Sequence, residues 1–285
     1  MIVIHGATGH VGAELLSQLA QKAVDVRAIS RRPQQPSGAR IHWVCADAER
    51  GEGLDAAFQG AERAFVMSAE DINPNRPPVQ VPRLVEAAQR AGVKRIVLMS
   101  VWSGGEGDDV IAEFWRQVEG SVTGSGLEWT LLRPGRFMSN ALQWLPMLTR
   151  GDDVHMPFAH RKIASIDPRD IAAVACAALT DDRHIGKTYQ LTGPEALTAA
   201  EEVEILARLL RRPLRVHELP LEAMRAAMTR NGFDPRVVDA ILARTRSEDG
   251  SVPVPTLQQV LGTAGGTFLQ WAERHLASFQ RVDAK

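Results

Sequence analysis

Runs of apolar residues alternate with longer amphipathic stretches through the first 150 residues of the chain. The runs that predict β-strands are MIVIHG, VDVRAIS, IHWVCAD, ERAFVMS, RIVLMS and LEWTLLRP. The stretches between them predict helices; in VQVPRLVEAAQRAG, for example, the apolar positions recur at helical spacing. Strands that are apolar throughout and separated by helices are typical of a parallel sheet covered on both faces. The pattern therefore predicts an α/β fold with a parallel sheet at its centre.

The alternation of strand and helix changes after about residue 150. The elements predicted there are a helix, a strand, a strongly amphipathic helix and one more strand, in the order IDPRDIAAVACAALTD, GKTYQLTG, TAAEEVEILARLL and LRVHELP. The rest of the chain is mostly helical in pattern. We predict two domains: residues 1–150 form the main sheet, and residues 151–285 mainly form a smaller mixed α/β domain, with some segments returning to the sheet.

Composition and charge narrow the classes of partner. The 285 residues carry a formal net charge of −1, with 45% hydrophobic and 24% charged residues, so neither nucleic acid nor an anionic membrane is an expected partner. No basic leader follows Met1, and no apolar run approaches the roughly 20 residues of a membrane helix, which predicts a cytoplasmic protein. Cys45 and Cys176 form no CxxC motif, so we expect two buried thiols and no metal. We expect a small-molecule substrate, aromatic or conjugated, and a monomer or homodimer.

A glycine-rich loop follows the first predicted strand. Residues 6–12 read GATGHVG, and a predicted helix follows them. In this context Gly6 permits a tight turn, Gly9 lets the backbone approach a pyrophosphate, and Gly12 allows the helix to pack closely. The helix N-terminus then faces the anion. This glycine loop predicts a dinucleotide site and makes the sheet Rossmann-type, with helices on both faces.

The ends of the second and third strands carry the residues that select the cofactor. An NAD site usually has an acid at the end of the second strand, whereas a 2′-phosphate is bound by arginine, and this chain has Arg31 and Arg32 there. We therefore predict NADP(H) in preference to NAD(H), although a pair of arginines in a turn is also typical of solvated surface. Asp47 is placed either to approach the adenine or to cap the segment that follows it.

Several stretches in order resemble one known family. They are GATGHVG, AGVKRIVLMS, SGLEWTLLRPGRFMSN, IDPRDIAAVA, GKTYQLTGPEALTAAE and TLQQVLGTAGGTFLQWAERH. Together they resemble the NmrA-like branch of the atypical short-chain dehydrogenase/reductases, which includes NAD(P)H-dependent quinone, azo-dye and triphenylmethane reductases as well as redox-sensing regulators. The similarity covers nearly the whole chain. It implies a substrate held between an NADP-binding Rossmann domain and a small C-terminal domain.

The resemblance also implies individual site residues. The residues around the pyrophosphate would be Gly6, Thr8, Gly9, His10 and Val11, beside the Gly12 of the loop. Arg31 would meet the adenosine phosphate. Those lining the path to the nicotinamide would be Met67, Ser68 and Ser100, and those bordering nicotinamide and substrate would be Pro134, Gly135 and Phe137.

The chain departs from the wider superfamily at its proton relay. The superfamily places a tyrosine and a lysine four residues apart on the helix before the strand LEWTLLRP, and the lysine lowers the pKa of the tyrosine. In this chain the tyrosine position falls on Ile111 and the lysine position on Trp115. Neither side chain can act as an acid or base.

Our leading hypothesis is an NADPH-dependent reductase that works without this dyad. A quinone, an azo bond or a conjugated carbonyl can accept hydride when it is positioned over the nicotinamide, and its proton can arrive later from water. The residues expected to form a flat apolar pocket for such an acceptor are Trp102, Trp115, Phe137, Met138 and Trp144. Plain core packing is the alternative for Trp115 and Trp144 in particular.

As the proton source of this reductase we assign His155 or His160, with Ser100 as a further catalytic residue. His155 and His160 lie in the predicted loop GDDVHMPFAHRK, and either imidazole suits general acid work, unless both are only surface or structural residues. Ser100 or Asn140 would then orient a carbonyl. Two further alternatives use the same scaffold without hydride transfer: a non-catalytic NADP(H)-sensing regulatory protein, and an isomerase or cyclase.

Overall fold

The chain divides into two compact units in a computed structural model that describes residues 1–34, 38–247 and 250–280. The first unit comprises Met1–Pro134, Pro168–Leu191 and Gln259–Leu261. The second comprises Gly135–Asp167, Thr192–Gln258 and Gly262–Lys285. The domain boundary that the sequence predicts near residue 150 stays a prediction.

Strands and helices alternate through the first unit, as the hydrophobic pattern predicts. The strands of the described chain are β1 (Ile2–Ile4), β2 (Val26–Ser30), β3 (Ile41–Cys45), β4 (Arg63–Met67), β5 (Arg95–Met99), β6 (Glu128–Pro134), β7 (Asp153–Met156), β8 (Lys162–Ile163), β9 (Lys187–Leu191), β10 (Leu197–Thr198) and β11 (Arg215–Glu218). The α-helices are α1 (His10–Gln21), α2 (Leu54–Phe58), α3 (Gln80–Arg90), α4 (Val110–Thr123), α5 (Leu145–Leu148), α6 (Pro168–Thr180), α7 (Ala199–Leu210), α8 (Leu221–Arg230), α9 (Pro235–Arg246), α10 (Thr256–Leu261) and α11 (Phe268–Gln280). Short 3-10 helices span Met138–Trp144 and Asp182–His184.

A seven-stranded sheet forms the centre of the first unit. Its order is β3-β2-β1-β4-β5-β6-β9, and every neighbouring pair is parallel. The chain leaves β1 toward β2 and β3 on one side, and it returns to β4 on the other side. Dinucleotides bind beyond the carboxyl ends of the strands at this point of reversal. The predicted Rossmann-type α/β fold is confirmed.

Burial follows the position of each strand in the sheet. All five residues of the interior strand β5 are buried, whereas no residue of the edge strand β3 is fully buried. α6 lies beyond residue 150 in the sequence but packs against α1, and β9 adds the last strand of the sheet. These are the segments that return to the sheet.

The second unit has its own apolar core. Its members are Met138, Ala141, Trp144, Leu148, Val154, Met156, Ala159, Val203, Leu206, Phe268, Trp271, Ala272 and Phe279. Two small sheets accompany this core, an antiparallel pair of β8 with β10 and a parallel pair of β7 with β11. The predicted loop over residues 151–162 is therefore wrong in part, because β7 lies within it and pairs with the predicted strand in LRVHELP.

The two cysteines differ from the expectation of two buried thiols. Cys176 is buried, but Cys45 is exposed, because it ends the edge strand β3. Across the described ranges, no helix is long and apolar enough to cross a membrane. Within the same residues, no three His, Cys, Asp or Glu side chains come together as a metal site requires.

Candidate functional site

The glycine loop, residues 6–12, leaves no space for side chains at two of its glycines. Gly6 has a φ of +76°, and a Cβ there would lie 2.4 Å from the Met67 sulfur. A Cβ on Gly12 would lie 2.2 Å from the main-chain oxygen of Gly6. Gly9 forms the N-cap of α1. The loop thus keeps its backbone bare where a Rossmann fold receives a pyrophosphate, so the residues present fit a dinucleotide.

The N-terminus of α1 is free to meet an anion. No side chain caps it, and its first turn contains no acidic residue. In contrast, the carboxylate of Asp109 accepts hydrogen bonds from the first turn of α4, and Thr198 forms a capping box at α7. Because the first amides of a helix carry a partial positive charge, α1 suits a phosphate group.

A cavity of about 190 Å³ lies beside the glycine loop, within the first unit. Its wall comes from the carboxyl ends of β1, β2, β3 and β4 and from the segments that follow them. The lining residues are His5, Gly6, Thr8, Gly9, Ile29, Ser30, Arg31, Ala46, Asp47, Ala48, Glu49, Met67, Ala69 and Gln80. The structure thus brings six of the predicted cofactor residues together in one wall: Gly6, Thr8, Gly9, Arg31, Asp47 and Met67.

The two arginines after β2 differ in position. Arg31 lines the cavity, and Arg32 does not. Among the described residues, no hydrogen bond or ion pair engages the Arg31 guanidinium. The two acids of the lining are occupied: Asp47 Oδ1 accepts the amides of Glu49 (2.8 Å) and Arg50 (3.1 Å), and Glu49 faces Arg76 at 3.6 Å. Asp47 thus caps the segment that follows it, which is one of the two roles that its position in the sequence allowed.

His5 is a lining residue that the sequence reasoning missed. Its Nδ1–H donates to the main-chain oxygen of Met67 over 2.9 Å, which places the proton on Nδ1, because a carbonyl oxygen only accepts. Burial, with a smaller contribution from the charge of Arg31, lowers the pKa of His5 to about 4 in spite of the hydrogen bond to Met67. The imidazole is therefore neutral at pH 7. The sequence feature that could have indicated this role is the position of His5, between the end of β1 and Gly6.

This lowered pKa predicts acid sensitivity of the fold. Because the folded pKa of about 4 lies below the unfolded value of 6.5, the unfolded chain binds more protons between these pH values, and stability falls as the pH falls. Between pH 8 and pH 5.5 the loss is about 1.4 kcal/mol. We expect His5→Asn, which keeps a donor near Met67, to lack this loss in urea unfolding.

The exposed His42 of β3 provides the control for this measurement. His42→Asn is expected to lose stability toward pH 5.5 just as the wild-type protein does. Equal pH dependence of the wild-type protein and His5→Asn would contradict the assignment of the acid sensitivity to His5.

At the carboxyl ends of β5 and β6, Ser100 belongs to a buried polar cluster. Its Oγ–H donates to Glu119 Oε1 at 2.6 Å, and Arg133 binds the same carboxylate through Nε (2.9 Å) and Nη2 (2.7 Å). Hydrogen bonding to Glu119 is the main reason that the pKa of Arg133 is raised. The Ser100 proton is thus held by Glu119, so Ser100 in this arrangement does not donate to a substrate carbonyl. Glu119 and Arg133 were not predicted from the sequence.

The two positions to which the sequence analysis assigns the tyrosine and the lysine lie on α4. Ile111 and Trp115 are both buried, and Trp115 packs edge-on against Phe114 with ring centroids 5.6 Å apart. Trp115 therefore contributes to the core of the first unit. Trp102, which follows β5, is half-buried, as is Ser68 after β4, while Pro134 ends β6 and is buried. His10 is exposed and Val11 is buried in the first turn of α1.

The remaining predicted residues belong to the second unit. Met138 and Trp144 are members of its core, while Gly135, Phe137 and Asn140 are half-buried. His155 is exposed on β7 and stacks on His217 with ring centroids 4.8 Å apart. The side chain of His160 is 78% exposed and lies 3.8 Å from Glu218. The structure therefore keeps His155 and His160 in contact with solvent.

Comparison with known proteins agrees with this geometry. A family model described as NAD(P)H-binding matches residues 6–182. The chain is 36% identical to the "(4-alkanoyl-5-oxo-2,5-dihydrofuran-3-yl)methyl phosphate reductase" of Streptomyces griseus, over 98% of this chain and 99% of that protein. It is 31% identical to the NAD(P)H azoreductase of Xenophilus azovorans, over 98% and 99% of the two chains.

Solved structures agree with the fold. The NADPH-dependent quinone oxidoreductase of Escherichia coli, crystallised with NADPH, superposes with a TM-score of 0.77 at 26% identity, covering 97% of this chain and 100% of that one. The triphenylmethane reductase of Citrobacter, complexed with NADP(H), also gives a TM-score of 0.77, at 21% identity over 96% and 99% of the two chains. At that identity the second likeness concerns the fold alone.

Proposed function

The chain belongs to the NAD(P)H-binding family and is an NAD(P)H-dependent oxidoreductase, and on this premise we propose that it is an NADPH-dependent reductase of a conjugated, electron-poor small molecule. The resemblance to the NmrA-like reductases is confirmed. The observation that carries the proposal is the face of α4 at the dyad positions, where Ile111 and Trp115 are buried and apolar. Neither of these two side chains could protonate an alkoxide.

A reaction without that acid suits an acceptor that stabilises negative charge by itself. When bound, the reduced nicotinamide supplies a hydride. If the acceptor double bond carries carbonyl groups, the electron pair left after hydride addition is shared with their oxygens, and water can deliver the proton afterwards. The substrate named for the S. griseus relative has this character, because one carbon of its ring double bond carries both the ring carbonyl and the alkanoyl group. We assign the same class of acceptor to this chain.

The proposed cofactor is NADPH rather than NADH. The glycine loop and the free N-terminus of α1 would hold the pyrophosphate, with Thr8, His10 and Val11 around it. Arg31 would bind the 2′-phosphate, since this residue lines the cavity and a fixed positive charge there favours an anion. At the carboxyl ends of β4 and β6, the residues proposed to line the path to the nicotinamide are Met67, Ser68, Pro134 and Gly135. Trp102, Phe137 and Asn140 remain our proposed contacts to the acceptor.

The test is NADPH oxidation with acceptors of graded activation. We expect turnover of a 4-acyl-2,5-dihydrofuran-5-one and of a quinone, much slower turnover of the ring without its acyl group, and none of an unconjugated ketone, whose alkoxide product needs an acid. Turnover of the ketone at a comparable rate would contradict the proposal. Tight NADPH binding without turnover of any acceptor would instead favour a regulatory NADP(H) sensor.

The same assay identifies the proton source. We propose that water supplies the proton, with His155 or His160 as the second candidate. Both imidazoles are exposed, so wherever they could deliver a proton, solvent water could deliver one too. A double variant, His155→Ala with His160→Ala, is expected to retain turnover within about twofold across the pH range. A loss of about 100-fold, the scale of general acid catalysis, would assign the proton to one of the two histidines.

A further inference from the structure

The buried carboxylate of Glu119 lies on the face of α4 where the dyad is missing. Residues 111, 115 and 119 are four apart, so Ile111, Trp115 and Glu119 follow one another along one face of the helix. Glu119 is 7% exposed, and it reaches Ser100, which is 3% exposed. The polar group of this face thus lies one turn beyond the lysine position and meets the end of β5.

Glu119 is held in place by one guanidinium. Arg133 of β6 contacts both carboxylate oxygens, and its Nη1 also donates to Glu106 Oε1 at 2.5 Å. A Cβ on Gly104 would lie 2.3 Å from Arg133 Nε, so the backbone of the segment after β5 packs directly on the guanidinium. A buried carboxylate bound in this way is strongly oriented, because turning it away from Arg133 would leave a buried charge unpaired.

The orientation of Glu119 decides the role of Ser100. A carboxylate accepts hydrogen bonds, so the single hydroxyl proton of Ser100 is directed to Glu119 Oε1. The Ser100 oxygen then offers only lone pairs to any other group. The ligand group that fits the Ser100 oxygen is therefore an N–H or O–H donor.

The sheet order indicates which part of a dinucleotide lies near β5. The cavity beside the glycine loop covers the ends of β1 and β2, where a Rossmann fold binds the adenosine half. β5 lies three strands beyond β2 in the sheet, about 14 Å at the usual strand spacing. The second half of a dinucleotide that crosses the point of reversal therefore extends toward the ends of β4 and β5.

We infer that the Ser100 oxygen accepts a hydrogen bond from the amino group of the nicotinamide carboxamide and so fixes the orientation of the ring. Glu119 and Arg133 hold Ser100 in the orientation in which its oxygen can accept. This inference rests on the proposed function only in requiring a bound nicotinamide cofactor. Ser100 is then a cofactor contact rather than a proton donor. Glu119 and Arg133 are positioning residues that act through it.

The test compares two reduced cofactors by equilibrium binding. One is NADPH, and the other is its 3-acetylpyridine analogue, in which a methyl group replaces the carboxamide amino group. We expect the wild-type protein to bind NADPH about fivefold more tightly, the usual contribution of one hydrogen bond. Ser100→Ala is expected to remove this preference by weakening NADPH alone. Glu119→Gln should remove it too, because a glutamine amide can donate to Ser100 and release the hydroxyl proton outward.

Two matched substitutions on α4 provide the controls. Ser121→Ala removes a half-buried hydroxyl that bonds to the Val118 carbonyl, and Glu113→Gln changes an exposed carboxylate. Both are expected to keep the wild-type preference. Equal weakening of both cofactors in Ser100→Ala, or an unchanged preference in Ser100→Ala and Glu119→Gln, would overturn the inference.

The result is separable from the reductase proposal. The preference is measured by binding, so it can be present in a protein that reduces none of the acceptors, in which case only the reductase proposal fails. Conversely, turnover of conjugated acceptors with no preference between the two cofactors would remove the role of Ser100 and leave the reductase proposal standing.

Discussion

Replacing Gly12 with alanine is expected to weaken NADPH binding by at least 100-fold, about 2.7 kcal/mol. Alanine is the better helix former by about 1 kcal/mol, so propensity alone would favour the change. Sterics oppose it, because the new Cβ would lie 2.2 Å from Gly6 O and 2.8 Å from Ala7 Cα, both of which are backbone atoms. A flexible side chain could move aside, but this backbone forms the glycine loop itself. The loop must shift, and the pyrophosphate site shifts with it.

Gly120→Ala is the matched control for this prediction. Gly120 lies within α4, and a Cβ there would meet no atom within 4 Å. The substitution is expected to leave NADPH affinity unchanged and to raise the free energy of unfolding by up to about 1 kcal/mol. Calorimetric titration with NADPH and thermal unfolding of both variants make the comparison. Wild-type affinity in Gly12→Ala would show that the glycine loop does not hold the cofactor.

Replacing Arg31 with alanine is expected to raise the dissociation constant of NADPH by about 10- to 100-fold, the contribution of one or two charge-assisted hydrogen bonds. NADH lacks the 2′-phosphate, so its affinity should stay within about twofold. The change is expected to remove the proposed preference for NADPH, so that the variant binds both cofactors alike. Titration with both reduced cofactors at one fixed salt concentration measures it, since salt screens an exposed charge.

The neighbouring arginine provides the control. Arg32 carries the same charge one residue further along, but it does not line the cavity. Arg32→Ala is therefore expected to change NADPH affinity by less than about threefold. Equal losses of NADPH affinity in the two variants would mean that the two arginines act only through their net charge. Equal losses of NADPH and NADH affinity in Arg31→Ala would mean that Arg31 does not bind the 2′-phosphate.

Much of the cofactor half of the site was predictable from the sequence, because its parts are local. Residues 6–12 form a turn and a helix start whose glycines are required by contacts within the same stretch or with β4, the strand beside β1 in the sheet. Gly12 meets Gly6, and Gly6 meets Met67. Arg31 and Asp47 follow strands whose apolar pattern already fixes where they end. Parallel strands bring such ends to one edge, so the position in the chain predicts the position in space.

Other parts depend on contacts between residues far apart in the chain. Ser100, Glu119 and Arg133 come from a strand end, a helix and the next strand, and Glu119 looks like any surface glutamate of an amphipathic helix until the partner strand is in place. Cys45 is exposed because β3 is an edge strand, and the apolar pattern of a strand does not show its position in the sheet. Likewise, the lowered pKa of His5 arises from burial by segments distant in sequence.

The sequence by itself determined the class of fold, the glycine loop, the family and the absence of the tyrosine and lysine from α4. These features are carried by periodicity and by short motifs, and both are properties of neighbouring residues. Only the tertiary structure decided which of the two arginines lines the cavity, where the Ser100 proton is directed, and that Trp144 belongs to a core while His155 meets solvent. Burial and hydrogen-bond direction depend on which distant segments pack together, and no local pattern encodes that choice.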